Sequence, residues 1–152
     1  MKKIKDIIIS ILIPNAIGLL SAILSKVKDN IDTFIKPSFN PPGIVFPIVW
    51  FVLYTLMGIS SYLIYKDNTT YKRRALLLYA VQLFINGLWS IIFFRLKLFL
   101  LAFITIIILI ILTTYMIIEF YKINKTAAYL QIPYLMWLIF ASILSYSVYI
   151  LN

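Results

Sequence analysis

Five apolar stretches, each long enough to cross a bilayer, constrain this chain more than any other feature. They run Asp6–Ser25, Ile44–Tyr65, Ala75–Phe94, Leu98–Tyr121 and Ala127–Leu151. A helix needs about 20 apolar residues to span the hydrocarbon core. Backbone groups facing lipid must be satisfied within the protein, which leaves helices or closed barrels. These runs are too long and too uniformly apolar for barrel strands. The expectation is an all-α membrane protein, a bundle of five transmembrane helices forming one domain over residues 1–152. Only 12% of the residues are charged, about half the share of a soluble domain.

The net charge of +9 comes from 14 Lys and Arg against 5 Asp and Glu. In a soluble chain this would suggest nucleic acid. Here the charges fall in loops and ends, where they set topology and meet anionic headgroups, so no nucleic-acid partner is expected. Lys2, Lys3, Lys5, Lys66, Lys72, Arg73, Arg74, Lys122 and Lys125 share one side; Lys26, Lys28, Lys36, Arg95 and Lys97 share the other. The positive-inside rule then places the N-terminus in the cytoplasm. The expected location is a bacterial cell membrane, crossed several times. Cys and His are both absent. Disulfides, the usual metal and haem ligands, and Ser-His or Cys-His nucleophile pairs are therefore excluded, and neither a metal nor a resident cofactor is expected.

The first run, "MKKIKDIIISILIPNAIG", could be read as a signal peptide with a cleavage site near Ala16 and Gly18. A retained helix is the preferred reading, because the apolar pattern continues through Leu24. Asn15, beside Pro14, either faces other helices or bonds a carbonyl of its own kinked helix. Gly18 and Ala22 form a small-xxx-small pair of the kind that can seat a partner helix.

The long loop Lys26–Pro42 leads into "KPSFNPPGIVFPIVW", where Pro41–Pro42–Gly43 suits a stiff turn before a helix and Pro47 would bend its entry. Phe46, Trp50 and Tyr54 are spaced four apart and share a helical face. Aromatic residues gather at membrane interfaces, which accounts for Phe46 better than for the deeper Trp50 and Tyr54. In the third run, "QLFINGLWSIIFF" sets Gln82 and Asn86 on one face, with Trp89 and Phe93 continuing near it. Two amides at that depth either bond between helices, at about 0.6–2 kcal/mol each, or orient a ligand. In the fifth, "PYLMWLIFASILSY", Pro133 frees a carbonyl, and Trp137, Ala141 and Ser145 share a face, for helix packing or for ligand room.

Those three segments, in this order along a chain of this length, resemble the TspO/MBR family of translocator proteins, also called tryptophan-rich sensory proteins or peripheral-type benzodiazepine receptors. The resemblance implies a five-helix bundle, often a homodimer. It implies a pocket beneath the first loop that binds porphyrins such as protoporphyrin IX, or synthetic isoquinoline and benzodiazepine ligands. It puts Phe46, Trp50 and Tyr54 on one pocket wall, matches Gln82 and Asn86 to a polar pair, and matches Trp137 and Ala141 to the fifth-helix tryptophan and its small neighbour. Two departures stand out. Asn30–Ile31 occupy the place of a Trp-Tyr pair in the loop. No basic residue follows Leu144–Ser145–Tyr146, so the proposed sterol motif is incomplete and sterol transport is not expected.

Flat aromatic ligands suit aromatic walls, and Lys36 is a candidate partner for a porphyrin carboxylate. The absence of His and Cys favours metal-free porphyrin over haem. Three functions remain open. One is a tetrapyrrole sensor or transporter. Another is an enzyme-like protein degrading porphyrin in light, with Trp50 and Trp137 as candidate reactive residues. The last is a regulatory membrane partner without a small ligand. Membrane lipid is a partner in all three.

Overall fold

The computed structural model covers Met1–Asn152 and contains helices and connecting segments only. The helices are α1 (Lys2–Ser25), α2 (Val27–Asn30), α3 (Val45–Tyr65), α4 (Lys72–Ser90), α5 (Phe99–Ile123), α6 (Lys125–Leu130) and α7 (Ile132–Leu151). A π-helical turn, Ile91–Arg95, extends α4. Five spans are long and apolar enough to cross a membrane, with α4 plus its π turn as the third and α6 plus α7 as the fifth. The all-α five-helix membrane bundle expected from the sequence is the observed fold.

Local chemistry explains where these spans depart from the expected bounds. The third begins at Lys72, because the basic turn Lys72–Arg74 is itself helical. The fifth is broken at Gln131. Pro133 carries no N–H to continue the hydrogen-bond ladder. Asn124 restarts the chain beyond α5, its side chain accepting from the Ala127 N–H at 3.0 Å. The long loop contains one helical turn, α2, entered through Lys26 at φ 51°.

Helix α1 packs on α3 and α4, α4 on α5, and α5 on α6 and α7. Leu19, Ile111 and Met136 are among many large apolar side chains left on the outside, whereas Ser60, Gln82, Asn86, Thr113, Gln131 and Ser145 are buried. In lipid the apolar surface needs no cover, so small and polar residues can serve as helix-to-helix contacts.

The α1–α3 seam shows this. Pro14 withholds the N–H that would bond the Ser10 carbonyl, and α3 presents Gly58 there. A Cβ at Gly58 would fall 2.5 Å from both Ser10 O and Ile11 Cα. Asn15 answers both readings of the sequence, since its Nδ2 donates to Ile11 O at 3.0 Å and to Thr55 Oγ1 across the seam at 3.4 Å. Gly18 is turned inward as well: its Cβ would meet Tyr54 Cε2 at 2.3 Å. Ala22 is exposed. The Gly18–Ala22 pair is therefore not a free outer seam, because α3 already uses Gly18.

Candidate functional site

The site is built where α3 faces α7. These two helices have little backbone contact, and aromatic side chains fill the space between them. Trp50 stacks on Tyr54 with ring centroids 5.2 Å apart. It meets Tyr134 edge-on at 6.3 Å and Trp137 at 6.4 Å. Phe46 closes on Trp137 at 6.0 Å, and Trp137 continues to Phe140 at 5.3 Å. The four-residue spacing of Phe46, Trp50 and Tyr54 thus becomes one aromatic wall. A shallow, open cleft of about 340 Å3 lies beside it, lined by Val49, Leu53, Pro133, Met136, Trp137 and Phe140; of the expected ligand residues only Trp137 lines it, and Phe46, Trp50, Tyr54, Gln82, Asn86 and Ala141 do not. That volume lies at the small end of the range for ligand pockets, roughly 300–1,000 Å3.

Behind the aromatic wall lies a continuous polar chain. The Tyr54 hydroxyl donates to Asn86 Oδ1 at 2.6 Å, and Asn86 Nδ2 donates to the Tyr134 hydroxyl at 2.9 Å. The Tyr134 hydroxyl donates in turn to Gln82 Oε1 at 2.8 Å. All four side chains are buried. The chain ends on Gln82 Nε2, which has no protein partner. One amide accepts and donates between two phenols on different helices, so α3, α4 and α7 are locked at a single depth. Interhelical bonding is therefore realised for Gln82 and Asn86, and the first bond fixes the tyrosine that carries Trp50.

The structure does not bring every expected residue to this place. Trp89 and Phe93 stack on each other at 5.0 Å in a second cluster, with Phe34, Phe94 and Phe99. Phe93 lies seven residues beyond Asn86, about 10 Å further along the helix axis. There its partner is the loop residue Phe34, at 5.3 Å. The π turn carries Phe93 into this contact. Ala141 and Ser145 are buried on the interior stripe of α7, while Trp137 sits at its edge against α3. Lys36 is paired with Asp32 at 2.8 Å and lies 5.6 Å from the centre of the Phe34 ring.

Several residues important here escaped sequence reading. Tyr134 is the central one: it sits one helical turn before Trp137, and two buried amides required a partner of its kind. Phe39, Phe140 and Asn152 are the others, and they hold the loop. The Ile35 N–H donates to Asn152 Oδ1 at 2.9 Å, and Asn152 Nδ2 donates back to Ile35 O at 2.8 Å. Phe39 meets Phe140 at 6.5 Å. The segment after Ile35 thus descends beside α7, covering about 18 Å of helix between Asn152 and Phe140. Phe34 and Asn152 anchor a loop that lacks the Trp-Tyr pair.

This clamp gives a direct expectation. Asn152→Ala removes both bonds to Ile35, and backbone amides from Ile31 to Ile44 should exchange with deuterium faster while those of α5 stay unchanged. Unaltered exchange in the loop would show that Phe34 and Phe39 suffice to hold it.

The sequence model of the TspO/MBR family matches residues 10–151. Over 124 residues the chain is 36% identical to the tryptophan-rich protein TspO of Chlorobaculum tepidum, covering 79% of this chain and 77% of that one. It is 34% identical over 117 residues to the translocator protein of Homo sapiens, covering 75% and 69%. It is 31% identical over 129 residues to the tryptophan-rich sensory protein of Cereibacter sphaeroides, covering 85% and 80%. Matched along nearly its whole length, and folded as five membrane-spanning helices, the chain belongs to the TspO/MBR family.

Proposed function

We propose that the chain binds a flat aromatic small molecule, a porphyrin of the protoporphyrin IX type, between α3 and α7 and acts as a tetrapyrrole sensor or transporter. The observation carrying this reading is the aromatic wall of Phe46, Trp50, Tyr54 and Trp137, held by a buried polar chain and flanked by the anchored loop, whose Phe39 meets Phe140 next to Trp137. The cleft of about 340 Å3 is small for a macrocycle, so entry requires the loop to lift and Trp137 to swing from Phe46. Lys36 becomes available to a ligand carboxylate only by exchanging its exposed partner Asp32, a cheap exchange for a surface ion pair. In this proposal the N-terminus is cytoplasmic, from the nine-to-five distribution of basic residues, and the chain works as a homodimer, as the family resemblance implies.

A second reading, light-dependent porphyrin breakdown, draws on the two adjoining indoles. Trp50 and Trp137 lie edge to face, and an excited porphyrin between α3 and α7 would touch both. Titration of the purified protein with protoporphyrin IX, in the dark and in light, tests both readings. Saturable binding in the dark is expected. Trp50→Phe keeps a stacking ring, worth about 0.5–1.5 kcal/mol beyond burial, so affinity should fall only modestly. If the protein degrades porphyrin, light-dependent loss should fall much further in this variant than in Trp137→Phe. Loss no faster than that of free porphyrin would remove the degradation reading, and absence of saturable binding would remove the porphyrin reading itself.

A further inference from the structure

A larger groove lies away from this site, between α1, α3 and α4, with a volume of about 550 Å3. Ile13, Ile17 and Leu20 of α1 and Leu76, Leu83 and Leu88 of α4 form its apolar walls. At its base the two helices are tied where the Ser21 hydroxyl donates to the Gly87 carbonyl at 2.6 Å. The end of the groove nearest the N-terminus is different in character. Extending its stripes by one to two turns reaches Lys3 on α1 and Lys72 and Arg73 on α4, and Lys66 follows the wall residue Tyr65. Asp6 and Asp67 are the acids there. The Lys72 ammonium is held at the mouth, bonded to Tyr65 O at 3.1 Å and lying 5.6 Å from the Tyr65 ring centre.

We propose that this groove is a binding site for an anionic phospholipid from the leaflet at the N-terminal end. One acyl chain lies along α1 and α4, and the phosphate is met by Lys72, Arg73 and Lys3. The match is one of charge to shape: a long apolar channel with a basic mouth at headgroup height fits a molecule that is apolar along its length and anionic at one end. A neutral hydrocarbon leaves the mouth unmatched. A second copy of this chain, inserted in the same direction, brings the same basic mouth against this one, and like charges repel.

The test uses the full chain in phosphatidylcholine bilayers containing phosphatidylglycerol with a photoreactive acyl chain, and maps the crosslinked residues by mass spectrometry. Crosslinks should concentrate between Ile13 and Leu20 and between Leu83 and Leu88, in excess of those on Ile107 and Ile111 of α5. Ala80 lines the groove and is exposed, so Ala80→Phe fills the channel without entering the core and should abolish the excess. Lys72→Gln and Arg73→Gln should each weaken competition by unlabelled phosphatidylglycerol about fivefold. Labelling spread evenly over α5 overturns the proposal, as does an excess that survives Ala80→Phe. Crosslinking of the groove to a second protein chain, in place of lipid, assigns the surface to an interface between copies and overturns it equally.

Discussion

Asn86→Leu should lower the stability of the folded bundle by about 2–4 kcal/mol, the cost of one orphaned buried donor plus one lost hydrogen bond. Leucine fills a similar volume, so no large cavity accompanies the change. The cost falls on the two phenols. Tyr54 loses the acceptor of its hydroxyl at 2.6 Å, and Tyr134 loses the donor at 2.9 Å while keeping its own bond to Gln82. Hydrogen bonds between membrane helices often contribute less, about 0.6 kcal/mol, because the separated helices find other partners. That discount is smaller here, since the orphan is created inside a packed interior where Tyr54 is 7% exposed. Adding Tyr54→Phe removes the stranded donor and should recover about 1–3 kcal/mol of the loss. Unfolding midpoints in one detergent provide the measurement. A double variant no more stable than Asn86→Leu alone would mean that the hydroxyl is satisfied elsewhere and that the polar chain does not lock the helices.

Gly58→Ala should destabilise the bundle by about 1–3 kcal/mol, the usual cost of overpacking, even though alanine is the better helix former by about 1 kcal/mol. The added carbon meets Ser10 O and Ile11 Cα, each at 2.5 Å. Both are backbone atoms, so no side chain can turn aside and α1 must move away from α3. That movement also withdraws Gly18 from the face of Tyr54 and loosens the wall of the candidate site. Gly87→Ala is the control. Its new carbon would lie 3.5 Å from Ile17 Cγ2, an ordinary contact, so the helix-propensity gain should show without opposition. If the two variants unfold at the same point, the close approach of α1 and α3 is not what Gly58 provides.

The membrane bundle and its five spans were legible because each span's length and apolarity are local properties to which the bilayer responds directly. The pairing of Phe46 with Trp50 and Tyr54, and of Gln82 with Asn86, was legible for a similar reason: a four-residue spacing fixes a helical face whatever the neighbours are. The meaning of Gly18 and Ala22 was not, because a small residue is equally suited to a partner chain and to a ring from its own chain.

The limit is clearest at Trp89 and Phe93. Their helical face follows from sequence, but their partner is the loop residue Phe34, and the height at which that loop meets the bundle is set by its tie from Ile35 to Asn152. Tyr134, Phe34 and Asn152 depend on the same height. By itself the sequence determined which segments lie in the membrane and which residues share a face. Tertiary structure alone decided which faces meet at which depth, because hydrogen bonds and ring contacts act over a few ångströms while the helices could slide past one another by whole turns. Here that register is held by one amide between two phenols and by one asparagine on the backbone of Ile35.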